Sequence, residues 1–386
     1  MTIFSLRTAA WLGAAVVAAG LGTAGCSSSS STAPAASAST SAPKTLTAKQ
    51  LVFGDTLKHS FVPAGQTATK TEHLTQPDDI VSLGGNLYVG FQNGVGSQGE
   101  ESGSGNLDST LLEITPKGSV VKQWDMRGKI DGMGADAATG RVFASVNEDS
   151  KSSLYVESGG TVTHYAYTQS PLPHMGGTDA ISVLNGKILI SASAPGTSGK
   201  APKNAAAVYV VTLNASAKTA TVAPFFAINA SATAANGTSA GQTVTLALTD
   251  PDSNLVVPSS SPSFAGDFVL NSQGDLQLIF SDASGQNLQV LKTSQAVDDT
   301  AWATSASGTL YATDSSADAV DAVTGPFKPG TAYTAVAPCN ANGAPVTCPA
   351  PPTWPVNSLG TINLKTGAVT TVYHGPLTPK GLVFLP

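Results

Sequence analysis

The sequence predicts an all-β protein, a β-propeller whose ring is closed by strands from both ends of the chain. Three observations carry this. A unit of about fifty residues recurs along the chain, the size range of propeller blades. Its strands are short and joined by glycine turns. Beyond the first two dozen residues, Pro, Gly and β-branched residues interrupt every candidate amphipathic helix.

The unit is most complete from Pro77 to Gly128. It opens on the acidic turn Pro77-Asp78-Asp79, continues into NLYVGF from Asn86, and ends in two short segments around Lys117-Gly118. Related segments follow: RVFASV from Arg141, KILISA from Lys187, NLVVPS from Asn254 and TLYATD from Thr309. Each is apolar or small on both faces, as strands buried on both sides are, and these read as the inner strands. The outer halves recur around Gly159-Gly160, Gln273-Gly274 and Thr366-Gly367, which are hairpin signals. Five units result. A sixth joins the C-terminal GLVFLP (Gly381 to Pro386) to the N-terminal QLVFGD and KHSFVPAG in one blade, which removes two open edges. Six blades are expected, or seven if the stretch after Asp314 holds another.

The chain of 386 residues divides into three parts. Residues 1–25 read as a lipoprotein signal peptide: Arg7 supplies the positive end, and the apolar run from Ala9 to Leu21 is too short for a lasting membrane span. Thr23-Ala24-Gly25-Cys26 resembles a lipobox with Thr23 where Leu is usual, making Cys26 the lipid attachment point. Residues 26–45 are a disordered Ser/Thr/Ala/Pro tether, with no large apolar residue to bury over Ser27 to Ala42. Residues 46–386 form a single propeller domain with a Pro-rich loop insertion at about 317–355. That insertion holds Cys339 and Cys348, which in an exported chain read as a local disulfide. The expected location is the outer face of the cytoplasmic membrane, lipid-anchored.

Only 11% of residues are charged and the net charge is -6. No basic footprint for nucleic acid is present. Gly94 to Gly99 match GxGxxG, but no helix follows to hold a pyrophosphate. Gly237 to Gly241 match GxSxG inside a small-residue loop rather than a strand–helix elbow. Asp250-Pro251-Asp252 opens like a calcium loop but lacks the later Gly and Glu, so a turn is the better reading. His59, His73, His164, His174 and His374 show no metal spacing and read as surface or loop residues.

The repeat resembles exported bacterial propellers of the NHL, gluconolactonase-like and quinoprotein-like groups, in repeat style and not in an enzyme signature. The gluconolactonase resemblance implies a divalent metal held by acidic and amide side chains at the channel mouth. Two sets of residues fit such a mouth. Asp78, Asp131, Asp179 and Asp298 stand at the entry to inner strands, where carboxylates could hold a hard cation such as Ca2+, although Asp is also a good turn residue. Asn147, Glu148 and Asp149 follow an inner strand directly. No catalytic set is recognisable, so enzyme activity is left open and the reading leans away from it. The favoured function is a tethered binding or scaffold protein for an unknown protein or small-molecule ligand. The alternative is a metal-assisted hydrolase or lyase acting on a small carbohydrate-like molecule.

Cys26→Ala removes the thiol that would accept the lipid. Labelling with a fatty-acid probe is expected to disappear in this variant; labelling at the wild-type level would refute the anchor.

Overall fold

The computed structural model describes residues 45–337 and 357–386. Cys26, the signal peptide, nearly all of the tether, and the Cys339–Cys348 pair lie outside the described residues. Within them the chain is all-β, its only helical element being a 3-10 turn at Gly54–Thr56. The multiple sheets are consistent with a β-propeller.

Six groups of four antiparallel strands can be followed, each from an innermost strand outward. The first runs Pro77–Leu83, Asn86–Phe91, Asp108–Ile114, Val120–Arg127. The second runs Ile130–Asp136, Arg141–Val146, Ser153–Ser158, Thr161–Tyr167, and the third Ile181–Leu184, Lys187–Ser191, Ala206–Asn214, Thr219–Ala227. A short parallel pairing, Ala166 with Thr219, fuses these two into one eight-stranded sheet. The fourth runs Pro251–Val256, Phe268–Ser272, Gln277–Ser281, Gln289–Lys292 and is extended by the hairpin Ser231–Ala234/Thr243–Thr245. The fifth runs Val297–Trp302, Ala332–Val336, Ser358–Ile362, Val369–His374. The sixth takes Pro379–Leu385 as its innermost strand, then Thr309–Asp314, Ala319–Thr324 and, outermost, Thr47–Phe53. Innermost strands pack on one another in sequence, and Pro379–Leu385 packs against both Val297–Trp302 and Pro77–Leu83.

The core lies between groups rather than at the centre. Each joint has its own apolar cluster. Tyr88, Leu111 and Met126 of the first group meet Met133 and Val142 of the second. Phe143 meets Ile181 and Tyr209, and Phe226 meets Phe268. Phe280 meets Trp302 and Val336, Leu359 meets Leu382 and Phe384, and Tyr311 and Val320 meet Leu87 and Val89.

Several expectations are corrected. NLYVGF, RVFASV, KILISA and TLYATD are second strands, one step out from the axis; only NLVVPS overlaps an innermost strand, at Pro251–Val256. Their apolar faces pack between neighbouring sheets, which gives the two-sided burial that suggested an axial place. TLYATD does not extend the sheet of Val297–Trp302 but joins the next one. The expected 317–355 insertion contains two sheet strands, Ala319–Thr324 and Ala332–Val336. KHSFVPAG does not enter the closing sheet: Lys58–Phe61 pairs with Lys70–His73 in a separate hairpin. His59 and His174 are buried, His59 between Glu72 and Asp125, His174 between the Tyr209 hydroxyl and the Ser193 carbonyl.

Packing around the axis leaves no room for side chains at some positions. A Cβ on Gly132 would stand 2.1 Å from the Ala180 nitrogen, and one on Gly381 2.6 Å from the Asp78 carbonyl oxygen. Both obstacles are backbone, which cannot swing away. Gly132→Ala is therefore expected to destabilise by about 3 kcal/mol or more in urea unfolding. Gly103→Ala, with nothing within 4 Å of the new methyl, is the control and should stay within about 0.5 kcal/mol. Equal stability of the two variants would refute the close approach.

Candidate functional site

Six side chains enter the axis from equivalent places at the start of the innermost strands. They occur in Pro77-Asp78-Asp79-Ile80, Ile130-Asp131-Gly132-Met133, Thr178-Asp179-Ala180-Ile181, Pro251-Asp252-Ser253-Asn254, Val297-Asp298-Asp299-Thr300 and Pro379-Lys380-Gly381-Leu382. The second residue of each is Asp five times and Lys once. The five aspartates line one cavity of about 270 Å³. The small third residues, Gly132, Ala180, Ser253 and Gly381, let the strands come close. At the two remaining places the third residue is Asp, and each reaches the next strand: Asp79 Oδ2 accepts the Met133 N–H at 2.6 Å, and Asp299 Oδ2 the Leu382 N–H at 2.7 Å.

Two lysines sit among the acids. Lys380 Nζ lies 3.0 Å from Asp298 Oδ2 and 3.9 Å from Asp78 Oδ1. Lys129 Nζ lies 2.7 Å from Asp131 Oδ1 and 2.6 Å from Glu148 Oε1. Asp131 Oδ1 also accepts from Gln92 Nε2 at 2.9 Å. Its other oxygen, Oδ2, is enclosed and has no hydrogen-bond partner among the described residues, in a residue only 3% exposed. The Ser182 hydroxyl, further along the same cavity, is likewise buried and unpaired.

The dry surroundings set the protonation of the ring. Burial, then Glu148 and other nearby carboxylates, pushes Asp131 well above the usual carboxylate range. Burial also raises Asp179 and Asp252 well above the usual carboxylate range, and the charge of neighbouring carboxylates adds to it. Asp78 is raised to about 6 by burial, against the pull of Lys380 and Lys129. Asp79 is raised to about 7 by burial, against the backbone N–H groups of Met133 and Ile80. Asp298 and Asp78 hold the Lys380 ammonium well above its ordinary value.

Asp78, Asp131, Asp179 and Asp298 are thus brought to one place, as the sequence suggests. Among the described residues no group of three or more His, Cys, Asp or Glu side chains is placed to hold a metal ion. Burial and the two lysines account for this, the ammonium groups taking up the carboxylate charge a cation would need. Asn147, Glu148 and Asp149 do not line the axial cavity. Asn147 Oδ1 accepts the Lys129 N–H, Glu148 pairs with Lys129, and Asp149 accepts from Ser97 and so fastens the 94–108 excursion. Sequence reasoning missed Asp252, Lys380, Lys129, Asp79 and Asp299. Aligning the innermost strands on their acidic starts, Pro77-Asp78 with Pro251-Asp252 and Pro379-Lys380, recovers two of them.

No protein-family model matches the chain, and no curated protein is significantly similar to it. Solved structures are similar at low identity. One, of unknown function, from Bacteroides thetaiotaomicron, is 11% identical with a TM-score of 0.44; the match covers 86% of this chain and 65% of the other, just under two thirds of its length. A virginiamycin B lyase from Staphylococcus aureus is 10% identical with a TM-score of 0.35, over 80% and 72% of the two chains. A protein provisionally named a gluconolactonase is 10% identical with a TM-score of 0.42, over 86% and 83%. No residue's role follows from likenesses this distant.

The raised acids fix a pH dependence. The folded chain keeps protons on Asp78 and Asp79 that the unfolded chain gives up near the ordinary carboxylate value of 3.8. Stability contributed by these groups is therefore highest in acid and falls as pH rises through 6 to 7. Asp78→Asn, which cannot ionise, is expected to remove about 2–3 kcal/mol of the wild-type fall between about pH 4 and pH 7.5. Urea unfolding across that range measures it; parallel curves for the two proteins would refute the assignment.

Proposed function

We propose that this chain is a lipid-anchored binding protein of the cell exterior, a six-bladed propeller whose axial pocket takes a small organic cation. Each four-stranded group is one blade in this reading, and the shared sheet of Thr47–Phe53 and Pro379–Leu385 closes the ring. The observation that carries the ligand class is Asp131 Oδ2. Asp131 lines the cavity and is only 3% exposed, and its Oδ2 has no hydrogen-bond partner among the described residues; an ammonium N–H supplies one when the carboxyl turns toward the cavity and ionises. Asp179 and Asp252 complete the seat. Burial favours their protonated form, and an incoming cation favours the ionised, accepting form.

An ammonium group suits this seat better than a metal ion. A hard cation needs about six oxygens closing on one point, and here the carboxylates stand one per blade around a ring. A directional donor with three N–H bonds reaches separated acceptors. The anchor at Cys26 and the tether would hold the pocket outside the membrane.

Propylammonium is the probe. A saturating concentration is expected to raise the melting temperature, by mass action on the folded state, by about 2.7 kcal/mol at a hundredfold excess over Kd. Asp131→Asn should weaken binding about tenfold or more, the value of one charge-assisted hydrogen bond. Calcium should shift the transition less than the amine does. No response to the amine, or a larger response to calcium, would overturn the proposal.

A further inference from the structure

We infer that the axial ligand carries one cationic head and an apolar tail, the tail lying down the channel below the aspartate ring. This rests on the cationic reading of the ring and adds the shape of the ligand to it.

The cavity does not end at the acids. Its walls continue three to four residues along the innermost strands to Val81, Ala135, Val183, Val256 and Val383. At about 3.3 Å per residue this is about 10–13 Å below the ring. All five are half-exposed although they lie inside the ring of strands, so their open faces look into the channel. Strands alternate sides and the first groups carry bulges at their starts, between Pro77 and Ile80 and between Ile130 and Met133. Those bulges bring an acid and an apolar residue of one strand to the same cavity. The fifth strand departs from the pattern: Ala301 and Trp302 turn into the core, and Thr300 lines the cavity instead. Ser82 and Ser182 add two hydroxyls to this level. No charged side chain lines it.

An ion wholly within the ring would leave the apolar wall facing water. A dication long enough to reach down the channel would bury its second charge against valines with no counter-charge, which is costly. A monoamine with an alkyl chain satisfies both levels at once. The two lysines already occupy part of the ring, Lys129 on Asp131 and Lys380 on Asp298, which leaves less of it free for a second positive charge.

The test is a series of n-alkylammonium ions, ethyl to hexyl, titrated calorimetrically into the full chain. Affinity is expected to rise roughly fourfold per methylene, the equivalent of about 0.8 kcal/mol for each buried CH2. 1,6-Diaminohexane should bind at least tenfold more weakly than hexylammonium. Val183→Thr and Val383→Thr, which keep shape but add hydroxyls, should weaken hexylammonium and leave ethylammonium unchanged. If these variants fail to fold, the wild-type series decides alone. Ethylammonium binding with a flat series would overturn the tail and leave the cation seat standing. Tighter binding of the diamine would also overturn it, because the lower channel would then be acidic in character. No binding of any amine would overturn both readings.

Discussion

The ring depends on polar side chains that reach from one strand group to the backbone at the innermost strand of the neighbouring group. An innermost strand has a free edge toward the axis, and its N–H and C=O groups need partners there. At each joint a side chain supplies one. Asp79 accepts from Met133 N, the Ser145 hydroxyl donates to the Thr178 carbonyl, and Asn254 Nδ2 donates to the Ala180 carbonyl. Asn271 Nδ2 reaches the Val297 and Asp298 carbonyls, Asp299 accepts from Leu382 N, and the Thr313 hydroxyl donates to the Asp78 carbonyl. Each clasp contributes about 1 kcal/mol, more where a carboxylate accepts. The greater effect is geometric. Short clasps draw the strands together until only Gly, Ala or Ser fits at the third position of most starts.

The chemistry of the axis follows from that tightness. Two of the clasps are carboxylates in a dry place, and five more aspartates stand beside them. Seven acids and two lysines in one enclosed region cannot all be ionised and unpaired. The chain settles the conflict by keeping buried acids such as Asp179 and Asp252 in their protonated form, by ion pairs at Lys129 and Lys380, and by one enclosed oxygen of Asp131 without a partner among the described residues. In the proposed reading, stability and binding capacity thus arise from the same residues. Replacing Asp131 tests binding; replacing Asp79 or Asp299 tests the ring itself.

Much of the fold was legible because periodicity survives divergence. Short apolar segments and Gly turns marked the strands, and GLVFLP and QLVF pointed to one closing sheet, as Leu382 and Val52 show. The order of strands within a sheet was not legible. NLYVGF is buried on both faces by neighbouring sheets, whereas PDDIVSL next to the axis is half-open and acidic. Burial and axial position are different properties, and only the first is written in hydropathy. Four of the five ring aspartates were found from their place before an apolar run. Asp252 was hidden by its likeness to a calcium loop, and Lys380 because the equivalent residue changes sign. Lys380 reaches Asp298 and Asp78 from a different sheet, and pairing across sheets leaves no mark on local sequence; Lys129 stands two residues before Asp131.

The last two strand groups exchange pieces. After Val297–Trp302 the chain crosses to place Thr309–Asp314 and Ala319–Thr324 in the neighbouring sheet, returns for three strands, and crosses again to end in Pro379–Leu385. The same neighbouring sheet waits for Thr47, whose partner Thr324 lies 277 residues away. A chain made or moved from its first residue onward therefore carries an unpaired N-terminal strand through most of its emergence. The sheet that holds Thr47–Phe53 cannot be completed until Pro379–Leu385 is free. Such a path loads the search with long-range contacts and slows it. It also leaves unpaired strand edges exposed meanwhile. Once assembled, the double crossing works in the other direction: peeling off the terminal strand exposes two sheets together, so unravelling from the end should be rare and abrupt.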